Sequence, residues 1–189
     1  MSSAEYDLRY LRAGMDLLED YIQSSELYWS IGISAEAGQT PYPEMTLGGI
    51  LLFLQRAKAH KLSPQQQAEL AELDAKLSST RLRWRAVWGK KATHAFRARL
   101  KLWSNFLEDY RRNSGANVDR YHYEVTRRVQ LHLLQSDADD RYEAEDQLLI
   151  GLDEFLKAVF VADDFIWDPE LATGFPPDPY WYLYGHLKV

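Results

Sequence analysis

The sequence predicts an all-α fold, a helical bundle of about five main helices around one very long helix, with a short aromatic helix at the C-terminus. Apolar residues recur at steps of three or four along most of the chain. Alternation typical of a strand nowhere exceeds three or four residues, and Pro and Gly cluster in short stretches between the periodic segments. We therefore expect strand content near zero and a single α-helical domain over residues 1–189.

The longest periodic segment covers about residues 63–113. Ser63 and Gln66 have capping-box spacing, Pro64 suits the first helical position, and Asn113 suits a helix end. One apolar stripe keeps its phase along the segment, through Leu70, Leu73, Leu77, Thr80, Trp84, Trp88, Lys91, Ala95, Ala98, Leu102 and Phe106. We predict one long central helix here, and the sequence leaves open a kink near Gly89, the only glycine of the segment.

Two helices are predicted before the long one. Helix one covers about residues 4–29, with Ser2 in capping-box spacing at its start. Helix two covers about residues 44–61 and is apolar around nearly its whole circumference, which is typical of a buried helix. Gly48 and Gly49 are poor helix formers, so they indicate either a close helix crossing or a helix that begins after them.

The second half of the chain predicts helix four over about 117–135 and, after the short connection 136–140, helix five up to about residue 163. From about residue 168 to residue 189 the chain forms an arm rich in Pro and aromatic residues. Asp178 suits a helix cap and Gly185 suits the position past a helix end. The residues between them therefore predict a single short aromatic helix.

The composition indicates a soluble globular protein, with 46% apolar and 26% charged residues. The net charge of −6 argues against a general affinity for nucleic acid. Because the chain has no Cys, disulfides, thiolate nucleophiles and Cys-ligated metals are excluded. No signal peptide is evident, and the apolar run 47–54 is too short for a membrane span. We expect a cytoplasmic protein without membrane contact or cofactor.

The charges are unevenly distributed. Residues 81–112 contain ten Lys and Arg against two acids, whereas residues 137–170 contain twelve acids against two basic residues. A basic ridge follows one side of the predicted long helix, at Lys76, Arg83, Lys90, Arg97 and Lys101. One hypothesis is that this ridge tracks nucleic-acid phosphates. We favour the alternative, a solvated face that complements the acidic helix five within the chain or across a dimer.

Four polar residues on inward faces form a candidate ligand pocket. They are Lys91, His122, His132 and Glu145. Inward His facing carboxylates can build a metal site in a bundle, but the paired Glu-x-x-His motif is missing. The acidic run that begins at Asp137 lacks the Gly and the terminal Glu of a calcium loop. We predict no bound metal, and we favour structural roles for both histidines.

The C-terminal aromatic residues form a candidate partner interface, at Tyr180, Trp181, Tyr182 and Tyr184. Packing of this segment on its own bundle is the alternative, and it is the default. No catalytic, phosphate-loop or dinucleotide motif occurs. The favoured hypothesis is a non-catalytic interaction or scaffold protein that binds a protein partner or a second copy of itself. The alternatives are nucleic-acid binding through the basic ridge, and a bundle with a small-ligand or metal site.

Overall fold

The computed structural model describes residues 3–189, and over this range the chain is mostly helical, as the sequence predicts. The expectation of negligible strand was wrong, because two short strands pair near the C-terminus. In chain order the elements are α1 (Ala4–Gln23), α2 (Leu47–Ala59), α3 (Pro64–Arg83), α4 (Arg85–Arg112), α5 (Ser114–Asn117), a 3₁₀ turn (Val118–Arg120), α6 (Tyr121–Leu134), α7 (Glu143–Val159), β1 (Phe160–Phe165), a 3₁₀ turn (Pro169–Gly174), α8 (Pro177–Tyr180), a 3₁₀ turn (Trp181–Leu183) and β2 (Tyr184–Leu187).

Helix α4 lies at the centre of the molecule. It packs most extensively against α6 and also contacts α1, α2 and α7, whereas α3 packs mainly against α1. The side chains of Phe96 and Trp103 on α4 are fully buried. These apolar residues lie beside the predicted main stripe, so this helix has neighbours on several sides.

The predicted long helix is divided into α3 and α4 at Trp84 rather than at Gly89. Trp84 has φ −108° and ψ 29°, outside the helical region, although its amide still donates to the Thr80 carbonyl at 2.9 Å. The predicted capping box between Ser63 and Gln66 is present at the start of α3. One continuous helix over 63–113 is therefore not confirmed. The two helices contact different neighbours, so tertiary packing acts differently on each side of Trp84.

Helix α1 ends earlier than the sequence predicts. The Ser24 hydroxyl donates to the Tyr21 carbonyl at 2.7 Å and closes the last turn. The following segment is non-helical, and Trp29 exchanges backbone hydrogen bonds with Met45 in an isolated bridge. At the other end Ser3 caps the helix by accepting from the Tyr6 amide at 3.1 Å. The predicted cap Ser2 lies outside the described residues.

Helix α2 begins after Thr46, whose hydroxyl accepts from the Gly49 amide at 3.0 Å. The predicted start near residue 44 was therefore early by about one turn. A Cβ on Gly48 would lie 3.2 Å from the Cβ of Gln130 on α6. The glycine accordingly permits a close crossing of α2 and α6, the first of the two explanations that the sequence offers.

The C-terminal region departs furthest from the sequence prediction. Helix α7 ends at Val159 rather than near residue 163, and Phe160 opens strand β1, which pairs antiparallel with β2. The Lys188 amide donates to the Val159 carbonyl at 2.9 Å, so the returning arm caps α7. The predicted aromatic helix is replaced by one helical turn, a 3₁₀ turn and strand β2, whose pairing with β1 is a contact between segments distant in sequence.

Candidate functional site

Most of the basic ridge is neutralised within the fold. Lys76 Nζ lies 3.0 Å from Asp16 of α1, and Arg83 Nη1 lies 2.7 Å from Glu19 of the same helix. The side chain of Arg97 contacts Glu145 of α7 at 2.5 Å. Across residues 3–189, Lys90 and Lys101 are exposed and form no ion pair. Two of the three acidic partners therefore come from α1 rather than from the acidic helix.

Lys91, the buried cation of the predicted pocket, caps the end of α1. Its ammonium donates to the carbonyl oxygens of Ser24 and Glu26, at 2.7 Å in each case, and lies 4.4 Å from the ring centroid of Tyr21. The pKa of Lys91 is lowered, because burial disfavours its charged form more than the nearby charge of Glu26 favours it. Backbone carbonyls therefore surround this ammonium, which accounts for its position on the apolar stripe without a ligand.

The structure does not bring the other members of the predicted pocket together. His132 is half-buried and makes an edge-to-face contact with Tyr180. Burial, with the charge of Arg128, lowers the pKa of His132. Glu145 pairs with Arg97, and the exposed His122 lies beside a different cavity. In the described part of the chain, no group of three or more His, Asp or Glu is placed to hold a metal ion.

The aromatic residues of the C-terminal arm pack on their own bundle. Tyr182 is fully buried, and its carbonyl accepts from the Tyr121 hydroxyl at 2.6 Å. Tyr180 is also buried, and the Tyr184 hydroxyl donates to the Phe175 carbonyl at 2.8 Å. Trp181 is half-buried, with its ring 5.4 Å from Lys157 Nζ. These contacts are those expected if the segment packs on its own bundle, which is the default interpretation of the sequence.

A different site emerges between α2, α4 and α6. A cavity of about 550 Å³, called here the arginine groove, opens to the surface and is lined by Arg56, Arg99 and Arg127. Among its other lining residues are hydroxyl, amide and aromatic side chains. These include Tyr6, Tyr28, Thr46, Phe53, Tyr123, Thr126 and Gln130, and the lining also contains Glu44 and Leu52. Three arginines thus line one cavity on a protein whose net charge is −6.

Arg99 is the buried cation of the arginine groove. The residue is 9% exposed, and its guanidinium donates to the Tyr28 hydroxyl at 3.2 Å and to Thr46 Oγ1 at 3.3 Å. Both partners are neutral. Throughout residues 3–189 no carboxylate lies within ion-pair distance of Arg99. A buried guanidinium without a counter-ion is costly, because low dielectric disfavours isolated charge.

The position of Arg99 is electrostatically unfavourable for a second reason. Thr46 is the N-cap of α2, so the guanidinium lies at the positive end of that helix dipole. Cations are disfavoured at a helix N-terminus, where anions are stabilised. Arg99 therefore departs from two rules of protein electrostatics at once, without a compensating acid. Such departures occur preferentially at functional sites.

The other two arginines of the groove each have an acidic partner. Arg127 forms an ion pair with Glu124 on its own helix. Burial, together with the charges of Arg99 and Arg120, lowers the pKa of Arg127. A lowered pKa reports an environment in which positive charge is disfavoured. An anion in the groove would relieve that repulsion.

Arg56 is held by a buried acid on α1. Arg56 Nη2 lies 2.9 Å from Asp7 Oδ1, and His60 Nε2 lies 3.1 Å from the other carboxylate oxygen. Asp7 is fully buried and the side chain of His60 is 3% exposed. This Asp7–Arg56–His60 cluster joins α1 to α2 and fixes the guanidinium that forms one wall of the groove.

The sequence prediction missed this site, although one signal was present. Arg99 falls among apolar positions of α4, between Phe96 and Trp103 at steps of three and four residues. The same reasoning that singled out Lys91 applies to Arg99. The remaining members of the groove come from separate helices and a loop, so no local spacing in the sequence connects them.

Comparison of the chain with protein-family models, with curated proteins and with solved structures finds no significant match. None of the helices in the described part of the chain combines the length and apolarity that a membrane span needs. The arginine groove is consequently interpreted from its own geometry and charges.

Proposed function

We propose that this protein is a non-catalytic binding protein that takes an anionic group into the arginine groove. The observation that carries the proposal is Arg99, a buried guanidinium with neutral partners at the N-terminus of α2. An anion bound there would interact with the guanidinium, with the helix dipole and with the neighbouring cation of Arg127. The cavity volume of about 550 Å³ lies in the usual range for small-ligand pockets.

Substitution of Arg99 by Met tests the proposal. Met preserves much of the side-chain volume and removes the charge, so saturable binding of phosphate, sulfate or acetate should fall by about tenfold or more. Because the lost cation has no counter-ion, the free energy of unfolding should rise by about 1–3 kcal/mol. Thr46 Oγ1 keeps its bond from the Gly49 amide in the variant. Chemical-shift titration measures the binding at constant ionic strength, and urea denaturation measures the stability.

Arg111→Met is the matched control, because Arg111 is an exposed arginine near the end of the same helix. It should leave both binding and stability close to wild type. Undiminished anion binding by Arg99→Met, or anion shifts that map outside the arginine groove, would contradict the proposed function.

Self-association is a second proposal, and exposed apolar residues support it. On α7 the side chains of Leu148 and Ile150 are 44% and 51% exposed, and Val161 on the adjoining strand β1 is 37% exposed. Strand β1 pairs with β2 along one edge only, so its other edge could accept a second strand. We therefore place the proposed interface on α7 and β1, rather than on the buried aromatic arm.

Light scattering at high micromolar concentration tests this second proposal. The wild-type mass should exceed that of one chain, and Ile150→Glu should restore the single-chain mass because a charge at an apolar interface is costly. Leu82→Glu serves as the control, since Leu82 is 77% exposed on α3. A wild-type protein that remains monomeric at this concentration ends the proposal.

Nucleic-acid binding has less support. Three of the five ridge residues already pair with acids, so phosphates would have to compete with those carboxylates. Binding of a duplex or single strand at low salt, lost on Lys90→Glu, would revive it. The cytoplasmic location and the single-domain organisation stay predictions.

A further inference from the structure

We infer that the ligand of the arginine groove is a small organic monoanion with a flat apolar body, such as an aromatic monocarboxylate. This inference rests on the proposed anion site. It adds the net charge of the ligand and the chemistry of the part that lies beyond the charged group. Two features support it, the guanidinium of Arg99 without an acidic partner and the aromatic side chains that line the groove and the slot beside it.

The balance of charges favours a single negative charge. Asp7 lies against Arg56 and Glu124 lies against Arg127, whereas the described residues place no acid against Arg99. One carboxylate placed at Arg99 would therefore supply the counter-ion that this guanidinium lacks. Glu44 also lines the groove, and its carboxylate would repel a more highly charged anion such as pyrophosphate.

The walls favour an apolar ring. Around the arginines, the groove is lined by the aromatic side chains of Tyr6, Tyr28 and Phe53. Aromatic residues that remain exposed at the mouth of a cavity can stack on a flat ligand. Tyr123 is 76% exposed and Tyr28 is 44% exposed, and both face the groove.

A second cavity extends the groove. This slot of about 280 Å³ is lined by Trp167, Leu171, His122 and Asp168, and it shares Leu52, Arg56, Tyr123 and Thr126 with the groove. Trp167 is held in place by its indole N–H, which donates to the His122 carbonyl at 3.3 Å. A ligand with its carboxylate at Arg99 would therefore have the side chains of Leu52, Tyr123 and Trp167 available for contact with a body of one or two rings.

The test compares four probes by calorimetry on the full-length protein. 2-Naphthoate carries both the charge and the ring system, 2-naphthamide lacks the charge, acetate lacks the rings, and pyrophosphate carries excess charge. We expect 2-naphthoate to bind most tightly. The amide and acetate should each bind about tenfold more weakly or worse, because each lacks one of the two interactions. Pyrophosphate should also bind more weakly than 2-naphthoate.

Tyr123→Ala separates the ring contact from the charge contact. Because Tyr123 is largely exposed, its removal should leave the fold intact while weakening 2-naphthoate by about fivefold and leaving acetate unchanged. Tyr142→Ala is the matched control, as Tyr142 is a 67% exposed tyrosine at the start of α7 that does not line the groove. It should leave the affinity for 2-naphthoate unchanged.

The outcomes distinguish a failure of the ligand class from a failure of the anion site itself. If acetate or pyrophosphate binds as tightly as 2-naphthoate, and Arg99→Met abolishes that binding, the anion site stands and the ligand class is overturned. If 2-naphthoate and 2-naphthamide bind with equal affinity, and Arg99→Met changes neither affinity, both the anion site and the ligand class are overturned. If 2-naphthoate does not bind at millimolar concentration while phosphate does, the ligand class alone fails.

Discussion

Replacement of Asp7 by Ala is expected to lower the free energy of unfolding by about 3–5 kcal/mol, among the largest effects of any single substitution in this chain. Asp7 is fully buried, with Arg56 Nη2 at 2.9 Å and His60 Nε2 at 3.1 Å from its two carboxylate oxygens. Removing the carboxylate leaves basic groups in a poorly solvated place without the acid that faces them. Urea denaturation followed by circular dichroism measures the loss.

Asp16→Ala is the matched control for Asp7→Ala. Asp16 lies on the same helix and pairs with Lys76 at 3.0 Å, but both side chains are well exposed, at 75% and 49%. Exposed ion pairs contribute about 0–1 kcal/mol, so this variant should unfold close to wild type. A similar loss of unfolding free energy in the two variants would show that the buried Asp7 cluster contributes no more to stability than an exposed ion pair does.

A second large effect is expected at Gly185, in strand β2. Gly185 has φ +151°, and a Cβ there would lie 2.1 Å from the Val161 carbonyl oxygen and 2.7 Å from the Phe160 ring. Gly185→Ala should therefore cost about 3–5 kcal/mol, because the backbone conformation and the space both exclude a methyl group. Hydrogen exchange should locate the change at the amides of β1 and β2, and urea denaturation measures its size.

Gly151→Ala is the corresponding control. Gly151 lies within α7, and a Cβ there would meet nothing within 4 Å. Because Ala favours the helix more than Gly does, this variant should gain about 0.5–1 kcal/mol. Equal and small effects at both glycines would mean that the β1–β2 pairing tolerates a side chain at residue 185 and that the close approach there is unimportant.

Local signals in the sequence were sufficient for several features of the fold. The Ser63–Gln66 capping box marked the beginning of α3 because cap and helix are adjacent in sequence. Gly48 indicated either a close helix crossing or a later helix start, and the structure shows the crossing, with α6 as the partner. The early end of α1 and the start of β1 were not predicted. Strand β1 pairs with the distant C-terminal arm, and the Ser24 carbonyl at the end of α1 accepts from the distant Lys91.

The candidate site was largely hidden from sequence reasoning. The predicted pocket residues lie in separate places, because periodicity indicates that a side chain faces inward but not which other residues it meets. The residues of the basic ridge are aligned by their helical spacing, but Asp16 and Glu19 of α1 neutralise two of them. Arg99 carried a signal as an arginine among apolar positions, but the lack of an acidic partner is a fact of three-dimensional arrangement.

The sequence alone determined that this protein is an acidic, mostly helical chain with buried apolar stripes and capped helix starts, since these properties arise from interactions between near neighbours. Only the tertiary structure decided that α3 and α4 separate at Trp84, that the C-terminal arm returns to pair with β1, and that three arginines meet in one groove. The physical reason is that packing brings together side chains and dipoles from separate segments. The electrostatic cost of Arg99 follows from its surroundings, not from its neighbours in the chain.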